Sequence, residues 1–476
     1  MCDRQRFKWR MRCVALLCAL AVAPLCAQEP RRTNVVVILA DDQSYQDFGF
    51  LGNRDVLTPH LDQLAAQSAC FVNGYVPMSV CRPSLATALT GLYPHQHGVH
   101  FNHPPPGLKA MQGMTAAQYE QTRATTDRLL MRVPTLPRIL ARHGYACLQT
   151  GKHWEGDYRN AGFTHGMTLG KPSARRDAIS GTRQQSNGQW VAHGNGDAGL
   201  TIGRETMAPI YDFIRQQRDR PFLVWYAPFL PHAPFDAPAR FQAMYAEREL
   251  PSRLRKYYAE ITRFDETVGQ LLQFLEKEGL SDETLVVFAS DNGYRPVSAS
   301  SARQDDRSKL SPFEDGLRTP LLFRLPGQSK PQRYSQLVQT VDLAPTILAA
   351  LGLADEITPR MPGANLWPAI TGMADPPPRS AFGAIYPNDA QSLDQPSQHV
   401  RARWIRDGDF KLIVPADRER QIELSLFDLQ SDPQEMTNLV QDQQYHPLVT
   451  QLRKKLDAWW SAEDDSRVTF TAQESP

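Results

Sequence analysis

Apolar runs alternating with helix-period stretches dominate the first three quarters of the chain. Asn34 to Ala40 reads NVVVILA, a continuous β-branched run of the kind that makes a strand buried on both faces of a parallel sheet. Phe222 to Ala227, Leu285 to Ala289 and Pro320 to Leu325 read the same way, and Tyr145 to Thr150 adds a further strand. Helical patterns lie between them. Thr58-Pro59 opens a helix with Leu61, Leu64 and Ala65 inward, and Thr135 to His143 turns Leu136, Ile139 and Leu140 inward before Gly144. Thr206 to Arg218 and Asp342 to Leu351 follow suit. The longest helix carries Ile261, Phe264, Val268, Leu271, Leu272 and Leu275 at helical spacing and stops at Gly279. This alternation predicts an α/β domain over 33–375, with a mainly parallel sheet flanked by helices.

From about Pro376 the pattern changes. Arg403 to Arg406, the turn Asp407-Gly408 and Phe410 to Val414 predict a hairpin. Glu423 to Leu429 reads as another strand and Leu448 to Trp460 as an amphipathic helix. A smaller antiparallel sheet plus helix is therefore expected over 376–476, with a loose tail after Ser461. Lys171 to Ala198 and Tyr294 to Arg307 read as irregular polar loops. Loops 101–134, 171–198 and 294–308 are expected to set specificity.

The 476 residues are 41% apolar and 22% charged, a globular composition with a large core. The N-terminus changes the picture of location. Arg4, Arg6, Lys8, Arg10 and Arg12 precede an apolar stretch from Cys13 to Leu25 that is too short to span a bilayer. A signal peptide over 1–27 is expected, and with it a periplasmic or secreted protein. Without that segment the formal net charge is −3. Nothing in this balance suggests nucleic acid as a partner, and no later segment is apolar enough for stable membrane insertion. Cys70, Cys81 and Cys147 remain; Cys70 and Cys147 can pair in an oxidising compartment, leaving Cys81 alone.

Ligands of such sheets bind outside the carboxyl ends of the strands. Four polar clusters fall there: Asp41-Asp42, Lys152-His153, His232 and Asp291-Asn292. Asp41, Asp42, Asp291 and Asn292 offer hard oxygen ligands, which suit Ca²⁺ or Mg²⁺ rather than zinc. Taken singly, each pair is equally a turn or a helix cap. In Ser79 to Gly91, Pro83 and Gly91 frame a helix that begins at Cys81, where unpaired backbone N–H groups favour negative charge. A half-buried cysteine at the start of an ordinary helix is the alternative.

Together and in order, these segments resemble the type I sulfatases of the alkaline-phosphatase-like superfamily. The resemblance runs from Asn34 to about Trp460. It rests on Asp41-Asp42, on Cys81-Arg82-Pro83-Ser84 with Leu89-Thr90-Gly91, and on Thr150-Gly151-Lys152. Pro231-His232-Ala233-Pro234, Ser290-Asp291-Asn292-Gly293 and Lys309 ahead of Glu314-Asp315-Gly316 extend it. Leu426-Phe427-Asp428-Leu429, Asp432-Pro433, Glu435 and Asn438-Leu439 carry it into the C-terminal part.

The resemblance implies a sulfuric ester hydrolase acting on a sulfated small molecule or polysaccharide. In that family a maturation enzyme oxidises the motif cysteine to formylglycine (3-oxoalanine), whose hydrate attacks sulfur. Cys81 would be the precursor. One Ca²⁺ per chain would lie among Asp41, Asp42, Asp291, Asn292 and the group made from Cys81. Lys152 and Lys309 would neutralise the sulfate, and His232 would bind it or protonate the leaving oxygen.

Two positions depart from the family pattern. Leu85 stands four residues after Cys81, where the family has Arg; Leu offers no donor. Arg82 could compensate by touching substrate, but at one residue from Cys81 it points elsewhere on a helix, and a solvent-facing side chain is expected. In Lys152-His153-Trp154, the place of the family's second histidine is taken by Trp154. His153 is read as a neighbour, with substitution for that histidine as the alternative. His95, His97, His100 and His103 are expected to pack a loop, with a substrate contact from His97 or His100. A phosphodiester or phosphonate hydrolase of the same superfamily and a degenerate carbohydrate-binding protein are the competing readings of the whole.

Overall fold

The Asn34–Ala40 run, β1, lies inside an eight-stranded sheet, with all seven residues buried. In chain order the other strands of this sheet are β2 (Ala69–Tyr75), β3 (Ala146–Gly151), β4 (His165–Gly166), β7 (Phe222–Ala227), β8 (Thr284–Ser290), β9 (Arg318–Arg324) and β10 (Gln332–Gln339). A separate short hairpin, β5 (Thr182–Gln184) and β6 (Trp190–Ala192), falls between β4 and β7. The order across the large sheet is β10-β2-β9-β8-β1-β7-β3-β4, and β9 alone runs against its neighbours. The computed structural model describes residues 32–177, 179, 181–296, 306–393 and 395–461. The expected signal peptide, part of the polar loop after Tyr294 and the tail after Ser461 lie outside these residues.

Both faces of β1 are covered, which is why its sequence does not alternate. Val35, Val37 and Leu39 pack with Leu85, Leu136 and Trp225 on one side. Val36, Ile38 and Ala40 pack with Leu61, Leu64, Phe264 and Leu271 on the other. The second side is built by helix α1 (Pro59–Ala66) and the 26-residue helix Ser252–Lys277, both amphipathic as their spacing predicts. Helix α2 (Cys81–Thr90) is buried along its whole length and ends at Gly91 in the left-handed region.

Several strands had no clear pattern. β2 reads ACFVNGY, and Asn73-Gly74 breaks its apolar run. Gly74 is needed there, because a Cβ would come within 2.4 Å of Thr319 O on β9. β10 reads QRYSQLVQ, an edge strand whose polar side meets solvent. The Lys171 to Ala198 loop contains the β5–β6 hairpin instead of being wholly irregular. The Cys70–Cys147 pairing is also corrected. Both thiols are free and buried, on β2 and β3, with four strands between them.

The C-terminal part forms a four-stranded antiparallel sheet in the order β11-β12-β13-β14: Ala381–Ile385, Ala402–Asp407, Phe410–Pro415 and Ser425–Asp428. Helix His446–Trp459 packs Leu452 and Leu456 onto Ile405, Leu412 and Leu426. No helix of the described residues is long and apolar enough to cross a membrane.

A buried ion cluster ties the small sheet to the large one. Lys411 of β13, fully buried, lies 2.9 Å from both Glu314 Oε1 and Glu435 Oε1. Tyr75 of β2 donates to Glu314 Oε2 at 2.7 Å, while Arg318 of β9 and Arg406 of β12 flank the same carboxylate at 3.7 and 3.6 Å. Burial opposes the charge on Glu314, yet Lys411, Arg406 and Arg318 hold its pKa down at about 2. Removing the central cation would take the nearest counter-charge from both buried carboxylates. Lys411→Ala should therefore lower the unfolding free energy by about 3–5 kcal/mol in urea denaturation. A loss within about 0.5 kcal/mol, the range of ordinary surface changes, would mean the cluster does not join the sheets.

Candidate active site

The chain delivers its acids from two adjacent parallel strands. β1 ends at Ala40 and β8 at Ser290, paired in register, so Asp41-Asp42 and Asp291-Asn292 leave the sheet side by side. Asp291 N donates to Ala40 O at 2.8 Å, and Asp42 N donates to Asp291 Oδ1 at 3.1 Å. Asp42 adopts φ 64, a left-handed backbone that Asp tolerates better than most residues. Tyr257 of the long helix fixes it by donating to Asp42 O at 2.9 Å.

Three further segments converge on these acids. Cys81 at the start of α2 brings Sγ to 3.7 Å from Asp41 Oδ1 and 4.0 Å from Asp42 Oδ1. Lys152 follows β3 and donates to Asp41 Oδ1 at 2.9 Å. The residue before it must be glycine: Gly151 has φ +76, and a Cβ would lie 1.8 Å from Ala227 O. Lys309 donates to Asp42 Oδ1 at 2.6 Å and to Cys81 Sγ at 3.1 Å. His232, in the loop after β7, places Nε2 3.4 Å from Asp42 Oδ2. Its Nδ1 donates to Ala233 O at 2.6 Å, which leaves Nε2 as the proton-exchanging atom. Arg204 braces that loop through Phe229 O and His232 O, at 2.8 and 2.6 Å.

Ligand atoms of Asp41, Asp42, Cys81 and Asp291 lie within 4.8 Å of one another. Burial and the neighbouring Asp41 push the Asp291 carboxyl well above its ordinary pKa. Burial also acts against Asp42, but Lys309, His232 and Lys152 hold it at about 2. Burial pushes the Cys81 thiol up despite both lysines. Among the described residues, Asp41 Oδ2, Asp291 Oδ2 and Asn292 Oδ1 are buried acceptors with no hydrogen-bond partner. Three orphaned oxygens in one pocket, with mutually repelling carboxylates, fit a hard divalent cation. His232 is the most open member, with 26% of its side chain exposed against 2% for Lys152 and 11% for Lys309. Substrate would reach the thiol from the His232–Lys309 side.

The remaining candidates lie elsewhere. Arg82 is not solvent-facing. It is 1% exposed and forms a bidentate pair with Glu155 at 2.8 and 3.0 Å, with Thr126 O at 2.9 Å. That pairing occupies its donors, so it is not placed to touch substrate. The pairing bridges 73 residues of sequence and left no local signal. His97 does not line the cleft either: Nε2 meets Thr87 Oγ1 at 3.2 Å and Nδ1 accepts from Val99 N at 3.1 Å. It braces α2 from behind. His153 donates to Asp157 O at 3.3 Å and packs against Phe163, away from the acids. Burial lowers its pKa to about 4, so it stays neutral. Trp154 turns inward, with Lys152 Nζ 5.8 Å from its ring. Leu85 is 5% exposed and joins the core beneath α2.

Comparison with known proteins places this constellation in context. The Sulfatase family model matches residues 33–353, and the model for the C-terminal part of N-sulphoglucosamine sulphohydrolase matches 307–461. Arylsulfatase A of Homo sapiens is 29% identical, with 96% of this chain and 92% of that protein aligned. N-acetylgalactosamine-6-sulfatase of Canis lupus familiaris is 28% identical over 75% of this chain and 70% of its own length. The crystal structure of Ps i-CgsB superposes with a TM-score of 0.69 at 23% identity, covering 93% of this chain and 96% of that one.

A hard cation in the pocket gives a measurable stability signature. Millimolar Ca²⁺ or Mg²⁺ should raise the melting temperature, with about 2.7 kcal/mol of stabilisation at a hundredfold excess over Kd. Asp291→Asn should remove most of that response while leaving the metal-free protein as stable or more so, because it relieves the repulsion that raises the Asp291 pKa. A wild-type protein whose melting is indifferent to both ions would count against the ligand set.

Proposed function

The chain belongs to the sulfatase family, whose members are sulfuric ester hydrolases, and from that premise we propose that it removes sulfate from a sulfated carbohydrate using formylglycine made from Cys81 and a bound Ca²⁺. The observation that carries the proposal is the setting of Cys81. Its Sγ stands at a helix start, beside three acids and 3.1 Å from Lys309 Nζ. A relative named N-acetylgalactosamine-6-sulfatase supports a sugar as the carrier of the ester. The basic and apolar N-terminal segment supports export to the periplasm or beyond, where such sugars would be met.

Asp41, Asp42, Asp291, Asn292 and the group at position 81 would hold the calcium. Bound there, the ion would favour ionisation of an adjacent hydroxyl and draw negative charge from the sulfate oxygens. Formylglycine at position 81 would supply the nucleophilic oxygen, and its formation calls for a dedicated maturation enzyme. Leu85 in place of the family Arg removes one donor near position 81.

The chain's own side chains do the rest. Lys152 and Lys309 are fixed cations in a largely water-excluded pocket, where they count for more against sulfate charge than they would in water. Lys309 reaches both Asp42 and the residue-81 side chain, so it spans nucleophile and sulfate. His232 keeps a proton on Nδ1 through Ala233 O and presents Nε2 to the open side of the pocket. Burial lowers the pKa of the ring, opposed by Asp41 and Asp42, so once charged it readily delivers a proton to the leaving sugar oxygen.

Protein made alongside a formylglycine-generating enzyme should yield a Cys81 peptide that has lost sulfur and two hydrogens and gained one oxygen, read by mass spectrometry. The same preparation should hydrolyse an aryl sulfate. An intact thiol together with absent turnover would overturn the proposal. Lys152→Ala should lower kcat/KM by about 10²–10³, and Cys81→Ala should remove turnover altogether; retained activity in the latter would displace Cys81 as the nucleophile's source.

A further inference from the structure

Arg183 on β5 has no counter-charge among the described residues. Nη2 lies 3.3 Å from His193 Nε2, and Nη1 is buried with no hydrogen-bond partner. The nearby Arg123 differs, since Asp127 sits 3.3 Å from it. Burial lowers the Arg183 pKa, with Arg123 adding to it and only Tyr119 opposing. A partly buried guanidinium left this way costs stability unless an anion from outside completes it.

The hairpin that carries Arg183 is anchored beside the sulfate-binding lysine. His153 N donates to Asn195 O at 3.2 Å, continuing the backbone that holds Lys152. Arg123 clamps both chains, donating to Gly194 O at 2.7 Å and Trp154 O at 3.2 Å. Tyr119 donates to His193 O at 3.3 Å. His193, accepting from Arg183 at Nε2, carries its proton on Nδ1. Burial and the Arg183 charge keep that ring neutral, and His232 is close enough to weigh on it.

The donors here are unspent. Trp154 Nε1 is buried and makes no hydrogen bond, while its ring lies 5.8 Å from Lys152 Nζ. His193 Nδ1 is turned to the side-chain amide of Asn195, whose oxygen is an acceptor and would not take an anion. Sulfate chemistry at Lys152, Lys309 and His232 uses none of these atoms. We propose that Arg183, positioned by His193 and joined by the Trp154 Nε1–H, forms a second anion subsite next to the sulfate pocket, which takes a carboxylate or second sulfate on the saccharide bearing the scissile ester. The inference rests on the sulfatase reading and narrows its substrate to acidic saccharides. The planar guanidinium with free Nη1 suits bidentate recognition of such a group.

Binding without turnover tests this subsite apart from catalysis. Protein carrying Cys81→Ala would be titrated calorimetrically with three sulfated disaccharides: one otherwise neutral, one with a uronic acid beside the sulfated sugar, and one with a second sulfate. At least one acidic ligand should bind about tenfold tighter than the neutral one. Gain with the uronic acid assigns a carboxylate, and gain with the disulfated sugar assigns a sulfate. Arg183→Gln should erase that gain, and Arg183→Lys should restore part of it. Equal affinity for all three ligands, or a gain that survives Arg183→Gln, would overturn the subsite. Aryl sulfate turnover by the unsubstituted enzyme reports separately on whether the chain is a working sulfatase.

Discussion

Putting Asp41, Asp42 and Asp291 together away from water is the constraint on which the rest of this structure depends. Each ionised carboxylate removed from water costs several kcal/mol before compensation. The fold supplies compensation from distant segments: Lys152 after β3, Lys309 before β9 and His232 after β7. A parallel sheet is suited to this, because adjacent strands release their ends on the same side. The cations do not balance the acids evenly. Asp42 is well served and stays ionised, whereas Asp291 is held up by burial and by its neighbour. The imbalance, together with the orphaned oxygens of Asp41, Asp291 and Asn292, suits the pocket to a cation beyond its salt bridges.

Most of this architecture was legible in the chain. The unbroken apolar runs of β1, β7 and β8 have no solvent face, so their sequence alone announces double-sided burial, and the polar residues following them fall at one edge of the sheet. The C-terminal hairpin was equally plain, with Gly408 at φ 58 in its turn. What escaped detection shares a physical cause. β2 and β10 owe their pairing to neighbours rather than to their own pattern, and Gly74 looks like a breaker until β9 is seen packed against it. Edge and bulged strands are stabilised by tertiary contact, which a local pattern does not record.

The site shows the same division. Residues tied to strand ends come together in the fold, because the strands locate them. Arg82 was misplaced because its fate is decided by Glu155, far along the chain, and a buried bidentate pair leaves no periodic trace. The loop histidines are expected to pack, with a substrate contact from His97 or His100; in the folded chain His97 packs, spending both ring nitrogens on Thr87 and Val99. The exchange of order in His153-Trp154 has a comparable outcome. The imidazole turns toward Asp157, and the indole takes the inward place beside Lys152.

The Glu314–Lys411–Glu435 cluster bears on how such a chain can change over generations. Glu314 lies in the segment that delivers Lys309, while Lys411 belongs to the small sheet and Glu435 to the loop beyond β14. Exchanging the C-terminal quarter for that of a distant relative would strand a buried acid unless the replacement brought its own lysine to the same spot. The cluster therefore couples the two sheets, so a change at Glu314, Lys411 or Glu435 is felt on both sides. The β5–β6 hairpin lies outside that cluster and has its own anchors, the Arg123 clamp on Gly194 O and Val191 buried against Met111 and Tyr119, so its exposed side chains can vary without disturbing Glu314, Lys411 or Glu435.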